Sequence, residues 1–428
     1  MNYEQARKYI ETVQQSGIIL GLTRMEILLE RVGNPQDNLK FVHIAGTNGK
    51  GSVLAYVSTI VEVAGYRVGR YISPTVEDYL ERIQINRKNI SPEDFCQHLS
   101  TLRVAIDEMV ATGVGHPSVF EIETALGFLY FKAQQCDLVV METGMGGAED
   151  GTNVVKNTLA CIFTSVSFDH MAYLGNSIEA LTYAKAGIIK ENAQVIYGAL
   201  PEVSKQIIND VCQQFNLVPT VVTKEAIKLH DFSGTFKQTF DYKQLSGVSI
   251  GLLGAHQVRN ATLAIECGWA LREQGFNVSD ESILAGLKET AWFGRLTVVQ
   301  DECPTVILDG AHNEESAQAL GETLKQLFAG KRIVGVMGVF KDKEVADILL
   351  GVGAVLSHLY TIDLPDENRR LSAESLATLA NELGILATAV GDLAAGIKLG
   401  MVDCDVLVVF GSLSHLGMAR SVVLRESI

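Results

Sequence analysis

No run of 18 consecutive apolar residues occurs in this 428-residue chain, which excludes a transmembrane helix on the usual length argument. The first ten residues, MNYEQARKYI, lack the apolar core of a secretory signal. Cysteines are scattered, seven of them at positions 96, 136, 161, 212, 267, 303 and 404, with no pair at metal-site spacing. An odd and isolated set argues against both disulfides and zinc and for a reducing compartment. A soluble, cytoplasmic protein is therefore expected, with no membrane partner. Runs of lysine or arginine are also missing, and 50 acidic residues against 35 basic ones leave a net charge of −15. Nucleic-acid phosphates would repel such a chain, so nucleic acid is excluded as a main partner. No solenoid repeat or low-complexity segment interrupts it, and nothing calls for an oligomer, so a monomer is expected.

What is present is ordinary globular composition, 47% hydrophobic and 20% charged, at a length that exceeds one core and predicts two domains. Helical spacing appears at Tyr3, Ala6, Tyr9, Ile10 and Val13, and again at Met25, Leu28, Leu29 and Val32. Apolar strands are predicted at Phe41 to Ala45, Arg67 to Ile72, Arg82 to Ile85, Asp137 to Glu142, Leu159 to Val166 and Gln194 to Tyr197. Helices fall between them, with a strong start at Ser91-Pro92-Glu93-Asp94 and a long run from Val119 to Gln134. Phe236 to Leu253 reads as a small antiparallel appendage. A second βαβ series begins at Thr305 to Asp309 and continues through Ile333 to Met337, Leu359 to Ile362 and Val406 to Phe410. The predicted class is α/β: an N-terminal P-loop ATPase-like domain on a parallel sheet with the appendage, then a C-terminal doubly wound, Rossmann-like domain. The boundary is placed between residues 1–296 and 297–428.

Residues 46 to 52, GTNGKGS, follow the Phe41 strand and precede an apolar-periodic stretch from Val53 to Ala64. Strand, glycine-rich loop and helix in that order suit a nucleoside triphosphate. Glycines let the backbone close on phosphate, helix-start N–H groups point at it, and Lys50 adds a positive charge. The spacing is unusual, with only Thr47 and Asn48 between Gly46 and Gly49, and Gly51 between Lys50 and Ser52. A flexible turn is the plain alternative.

Ligands of open α/β sheets lie beyond the carboxyl ends of the strands, and several polar residues stand there. Glu142, followed by TGMGG, is a carboxylate delivered beside the phosphate loop, where it can hold magnesium. Asp169 and His170 come just after the Leu159 strand, and the histidine is either a ligand or a satisfied structural group. Lys185, among small apolar neighbours in a helical stretch, reads from pattern alone as a surface residue. Asp309-Gly310-Ala311-His312-Asn313 closes the first strand of the second series. Two such sites facing each other across a domain boundary suggest ATP on one side and a small substrate on the other.

Taken in order, GLTRMEILLERVGNPQ, FVHIAGTNGKGS, YISP, ERIQIN, FEIETALGFLYF, VVMETGMGG, DH, KAGIIK, HQVRNA, FGRL, VILDGAHN, FKDKE and FGSL resemble one family closely. It is the folylpolyglutamate synthase and dihydrofolate synthase branch of the Mur-ligase superfamily. The likeness covers nearly the whole chain. It implies an ATP-dependent amide ligase of folate biosynthesis and one-carbon metabolism: ATP phosphorylates a substrate carboxylate, and L-glutamate attacks the acyl phosphate. The acceptor is tetrahydrofolate, dihydropteroate, or both. A closing second domain would exclude water from the acyl phosphate.

The resemblance also implies roles. Gly46, Thr47, Asn48, Gly49, Lys50, Gly51 and Ser52 wrap the ATP phosphates, with Lys50 neutralising developing charge. Ser73, Glu142 and His170 match magnesium ligands, and Lys185 matches a lysine that, when carbamylated, helps to hold a second magnesium. Asn260, Arg295 and Asp309 match nucleotide-contacting positions, while His312, a catalytic candidate with Lys50 and Lys185, and Ser412 match glutamate-handling ones. Departures from the family pattern are Thr75 after Ser-Pro, Ala148 where arginine is common, Phe293 for proline and Ser414 for tyrosine. They touch the pterin side and leave the ATP machinery intact. The rival readings are a Mur-superfamily ligase acting on a cell-wall precursor and, from another class, a nucleotide-switch NTPase. The form of GTNGKGS and KAGIIK disfavours the first. No Asn-Lys-x-Asp motif supports the second, since Thr223-Lys224-Glu225-Ala226 lacks the aspartate.

Overall fold

A computed structural model describes residues 1–14, 20–169, 171–230, 236–402 and 404–426. The chain divides into two compact units, and neither is continuous in sequence. The first takes Met1–Pro74, Leu80–Ala226 and Asn260–Glu289, and the second Thr75–Tyr79, Ile227–Arg259 and Thr290–Ile428. No described helix is long and apolar enough to cross a membrane.

The first unit is built on β1 (Phe41–Ala45), β2 (Val68–Tyr71), β3 (Ile83–Ile85), β4 (Lys88–Asn89), β5 (Leu138–Glu142), β6 (Thr158–Phe163), β7 (Gln194–Tyr197) and β8 (Thr220–Val221). Their order is β4-β3-β2-β5-β1-β6-β7-β8. From β2 to β8 every neighbouring pair is parallel, while β3 runs antiparallel to β2 and to β4. β1 and β5 are buried at every position, as strands covered on both faces must be, which is why they read as apolar runs but for His43 in β1 and the terminal Glu142 of β5. The helix Lys50–Val63, read from the sequence as an apolar-periodic stretch, is buried continuously from Gly51 to Val61 and has no solvent-facing stripe. Gly286 in the helix Asp280–Glu289 lets the two pass closely: a Cβ there would stand 2.5 Å from Ile60 Cα.

Local signals place the other helices. Ser91 caps Pro92–Ala111 by accepting from the Asp94 amide, and Ser118 with Glu121 forms a capping box on Val119–Ala133. The strand expected over Leu159 to Val166 stops at Phe163. Beyond it, Thr164, Ser165 and Ser167 spend their hydrogen-bonding groups on the loop after β1 rather than on a ladder.

In the second unit, the antiparallel element expected at Phe236 to Leu253 is three strands: β9 (Ile227–Leu229), β10 (Gln238–Tyr242) and β11 (Leu245–Ile250), ordered β11-β10-β9. The larger sheet holds β12 (Thr297–Gln300), β13 (Thr305–Leu308), β14 (Ile333–Met337), β15 (His358–Ile362), β16 (Ala387–Gly391) and β17 (Val406–Phe410). Its order is β12-β13-β17-β14-β15-β16, parallel throughout except for β12. Alternate residues of these strands enter two different cores. Ile307, Met337 and Val408 pack with Leu320, Leu324 and Ile348, whereas Val306, Val336 and Val409 pack with Ile397, Leu416 and Ala419. That two-sided packing makes the sheet doubly wound.

Candidate active site

At the carboxyl ends of four neighbouring strands, β2, β5, β1 and β6, the first unit gathers most of the residues named from the motifs. β1 ends at Ala45, and the chain turns through Gly46–Gly49 into a helix that begins at Lys50. The turn is clamped to the segment after β6. Thr47 N donates to Ser165 O (2.9 Å) and its Oγ1 to Ser167 O (3.0 Å). Asn48 N donates to Ser165 Oγ (2.9 Å), and Thr164 Oγ1 donates to Asn48 O (2.6 Å). Glycine is required at 46 by that close approach, because a Cβ there would collide with Thr164 Oγ1. Gly49 has φ of +88°, the left-handed region. Asn260 lies against the same turn: a Cβ at Gly49 would sit 2.8 Å from its Oδ1. Lys50 Nζ donates to Gly46 O (2.8 Å) and Thr47 O (3.1 Å), so its ammonium lies over the loop.

Glu142 ends β5 and is buried, and its Oε1 accepts from Ser73 N (2.8 Å). The strand neighbours thus bring a carboxylate and a serine together next to the loop. Among the described residues no three His, Cys, Asp or Glu side chains group closely enough to hold a metal. A serine hydroxyl and a single carboxylate are nonetheless hard oxygen donors, the sort that magnesium takes while keeping waters and phosphate oxygens in its shell. The donor set fits that ion. His170 lies outside the described residues.

Lys185 corrects the reading made from pattern alone. It stands in the last turn of the helix Ile178–Ala186 and is only 5% exposed. Burial pushes its amine down to about 7; the Lys50 charge adds to the fall and Asp169 opposes it. A surface lysine has no such basicity.

Arg295, Asp309, His312 and Ser412 gather in the second unit, where β13 and β17 are parallel neighbours. Asp309, at the end of β13, has both oxygens engaged: Oδ2 accepts from Leu296 N (2.7 Å) and Oδ1 from Ala311 N (2.8 Å). Burial raises its carboxyl, while Arg295 and the two amides hold it back. The aspartate therefore locks the FGRL turn to the DGAHN turn, a bond repeated by Gly310 N on Gly294 O (2.8 Å). His312 Nδ1 pairs with Gly310 O (2.7 Å), which makes Nδ1 the protonated nitrogen. Ser412, buried after β17, accepts from Ser414 N (3.2 Å), and its Oγ pairs with Ser414 Oγ (2.9 Å).

Motif reasoning missed the residues that hold the loop, Thr164, Ser165 and Ser167, although three hydroxyl residues among the four right after a buried strand were a usable signal. It also missed Asp150, buried, with Oδ2 accepting from Met145 N (2.7 Å) and Oδ1 from Thr152 Oγ1 (2.5 Å).

Known proteins match this arrangement. The family described as "Mur ligase middle domain" matches residues 44–268, and "Mur ligase, glutamate ligase domain" matches residues 294–413. The dihydrofolate synthase/folylpolyglutamate synthase of Bacillus subtilis is 36% identical over 85% of this chain and 86% of its own length. The folylpolyglutamate synthase of Lacticaseibacillus casei is 31% identical, over 87% of each. Among solved structures, Mycobacterium tuberculosis folylpolyglutamate synthase complexed with ADP and AMPPCP superposes with a TM-score of 0.88 at 27% identity, covering 98% of both chains. An Escherichia coli relative in complex with DHPP and ADP gives a TM-score of 0.86 at 27% identity, covering 100% of this chain and 99% of that one. These matches support the folate branch and neither a cell-wall ligase nor a nucleotide switch. The chain belongs to the folylpolyglutamate synthase and dihydrofolate synthase family of Mur ligases, the ATP-dependent enzymes that join glutamate to folates.

Proposed function

We propose that this chain joins L-glutamate to tetrahydrofolate, with dihydropteroate as a second acceptor, through an acyl phosphate formed from ATP. The observation that carries this reading is a glycine-rich loop and a buried carboxylate backed by serine at adjacent strand ends, with a buried lysine of depressed basicity in a helix close enough for the Lys50 charge to act on it. A carboxylate oxygen of the acceptor attacks the γ-phosphorus and ADP leaves. The glutamate nitrogen then attacks the acyl carbon, phosphate leaves, and a proton is lost to give the amide.

Each side chain has a part in this scheme. Amides of Gly46–Ser52 at the helix start cradle the phosphates, and Lys50 neutralises charge as the γ-phosphoryl moves. Ser73, Glu142 and His170 would hold one magnesium, and carbamylated Lys185 would help to hold a second. Magnesium bound there supplies charge neutralisation on the transferring phosphoryl group. Asn260, Arg295 and Asp309 orient the nucleotide, and His312 and Ser412 orient glutamate. Most of nucleotide binding is assigned to residues 1–296, with Asp309 contributed by residues 297–428, to which glutamate binding is assigned, in a monomer of the cytoplasm that needs neither nucleic acid nor membrane.

Carbamylation needs a neutral amine: Lys185 Nζ attacks the carbon of carbon dioxide and releases a proton. With an amine at about 7, roughly nine-tenths is neutral at pH 8, against under about one-hundredth for an ordinary lysine. Protein equilibrated with 13C-bicarbonate is expected to show a carbamate carbon signal at pH 8 that fades towards pH 6 and is missing from Lys185→Arg. Its presence in Lys185→Arg would place it on another amine.

Gly49→Ala tests the loop. A side chain at φ of +88° against Asn260 should cost about 1–3 kcal/mol and weaken ADP binding, read by thermal unfolding and calorimetric titration. Unchanged values in both would mean that the turn relaxes freely.

The function itself is tested by phosphate release with Mg-ATP and L-glutamate, adding in turn tetrahydrofolate, dihydropteroate and a cell-wall UDP-sugar precursor, with mass analysis of products. A tetrahydrofolate product heavier by one glutamyl unit is expected. Release with the UDP-sugar precursor alone would overturn the proposal and turn attention to Thr75 and Ala148.

A further inference from the structure

Asn153 has no role in the scheme above, yet its side chain joins two parts of it. It sits in the turn Gly151–Val154, 6% exposed. Its Nδ2 donates both to Ala148 O (3.0 Å) and to Gly187 O (3.1 Å). Ala148 closes the loop that begins at Glu142, and Gly187 stands two residues beyond Lys185. One buried amide thus bridges the loop of the carboxylate and the helix of the lysine.

The backbones it bridges are in close approach. Ala148 N donates to Ala184 O (2.7 Å). A Cβ on Gly147 would lie 2.8 Å from Ala184 O and 2.9 Å from Lys185 O, and one on Gly187 would collide with Ala148 Cβ. Asn153 is itself held in place: its N–H donates to Asp150 O (2.8 Å), and Lys190 Nζ donates to its carbonyl (3.3 Å). The chemistry requires a carboxamide. Gly187 follows a helix end, where carbonyls lack intrahelical donors, and Ala148 O lies in a loop with three glycines at 144, 146 and 147. Aspartate cannot donate to either carbonyl, and an apolar isostere leaves both unpaired.

We infer that Asn153 is a positioning residue of the ligase reaction, fixing the Glu142 loop against the Lys185 helix so that carboxylate and lysine are presented together. The inference rests on the metal-holding roles proposed above for Glu142 and Lys185. It goes beyond them by naming the bond that sets their spacing.

The test compares Asn153→Ala with Asn381→Ala. Asn381 in the second unit also donates from Nδ2 to two carbonyls, Ala377 O of its own helix (2.8 Å) and Ala387 O (3.0 Å), from an exposed position, so it serves as a control for loss of a bifurcated carboxamide away from the site. Three readouts are taken: Mn2+ binding by electron paramagnetic resonance in the presence of ADP, the 13C-carbamate signal, and melting temperature. Asn153→Ala should weaken Mn2+ binding by about tenfold and reduce the carbamate signal. Asn381→Ala should move neither and lower the melting temperature less, because its side chain is exposed. Should Asn153→Ala fail to fold, Asn153→Ser, which keeps one donor, is expected to give the same shifts at smaller size. Unchanged Mn2+ binding and carbamate in a folded Asn153 variant would overturn the inference, as would an equal shift in Asn381→Ala. Lys185→Ala, measured alongside, separates the two layers. If it ligates normally, the Lys185 reading falls and takes this inference with it; an inactive Lys185→Ala beside an unperturbed Asn153→Ala sinks the inference alone.

Discussion

Lys185→Ala should lower glutamate ligation by about 10²–10³-fold while leaving a folded protein. The side chain is buried, and its amine sits at about 7 because burial and the nearby Lys50 charge both disfavour the proton. Packing alone would be served better by an apolar residue, so a buried amine of lowered basicity points to chemistry. The same shift sets the sign of a stability effect. Between the folded value of about 7 and the unfolded value near about 10.5, the unfolded chain holds a proton that the folded chain does not. Stability therefore rises with pH across that window, and this contribution is lost as pH falls towards 7. In Lys185→Ala that slope should flatten. Ligation rates at saturating substrates, with urea unfolding at pH 7 and pH 9, test both halves. Normal turnover in a folded variant would remove Lys185 from the machinery.

Lys50→Ala should lower turnover by about a thousandfold, within the range for removing one preorganised charge from a transition state. Nucleotide affinity should change far less, because the amides of Gly46–Ser52 remain. The ammonium rests on Gly46 O and Thr47 O, positions suited to a compact ammonium. Lys50→Arg is accordingly expected to rescue little, since a planar fork cannot take the same place. A second consequence links the two lysines. Removing the Lys50 charge takes away a cause of the low Lys185 basicity, so the Lys185 amine should move up and its carbamate form less readily at a given pH. A single-turnover measurement of acyl-phosphate formation would read the first effect, and 13C-bicarbonate labelling the second. A Lys50→Ala protein that turns over normally would leave the phosphate loop with binding but no catalysis.

How much of this was legible beforehand depended on the range of the interactions. GTNGKGS could be read as a strand-to-helix glycine turn because strand, glycines and helix are consecutive in the chain. Glu142 could be read because an unbroken apolar strand delivers it. Lys185 could not be read from its neighbours, since Ala184, Ala186 and Gly187 look the same on a surface helix as in a crowded interior. Only resemblance pointed to it. Asp309 was recognised as special, yet its work within the fold, holding Leu296 N and Ala311 N, depends on a turn 13 residues earlier. Asn153 was not singled out at all, because its two acceptors belong to segments unrelated in any local pattern.

The sequence by itself determined the α/β class, the alternation of buried strands with helices, the glycine-rich strand-to-helix turn and the family. These follow from periodicity, capping residues and ordered motifs, each written in a few consecutive residues. The tertiary structure alone decided which groups are buried and which touch: the clamp of Asn48 on Ser165 across 117 residues of chain, the buried Lys185 of lowered basicity, and the amide bridge from Asn153. Burial and partnership are set by whatever the folded chain brings alongside a residue. That is a property of the surroundings, and a residue's own neighbours in sequence do not carry it.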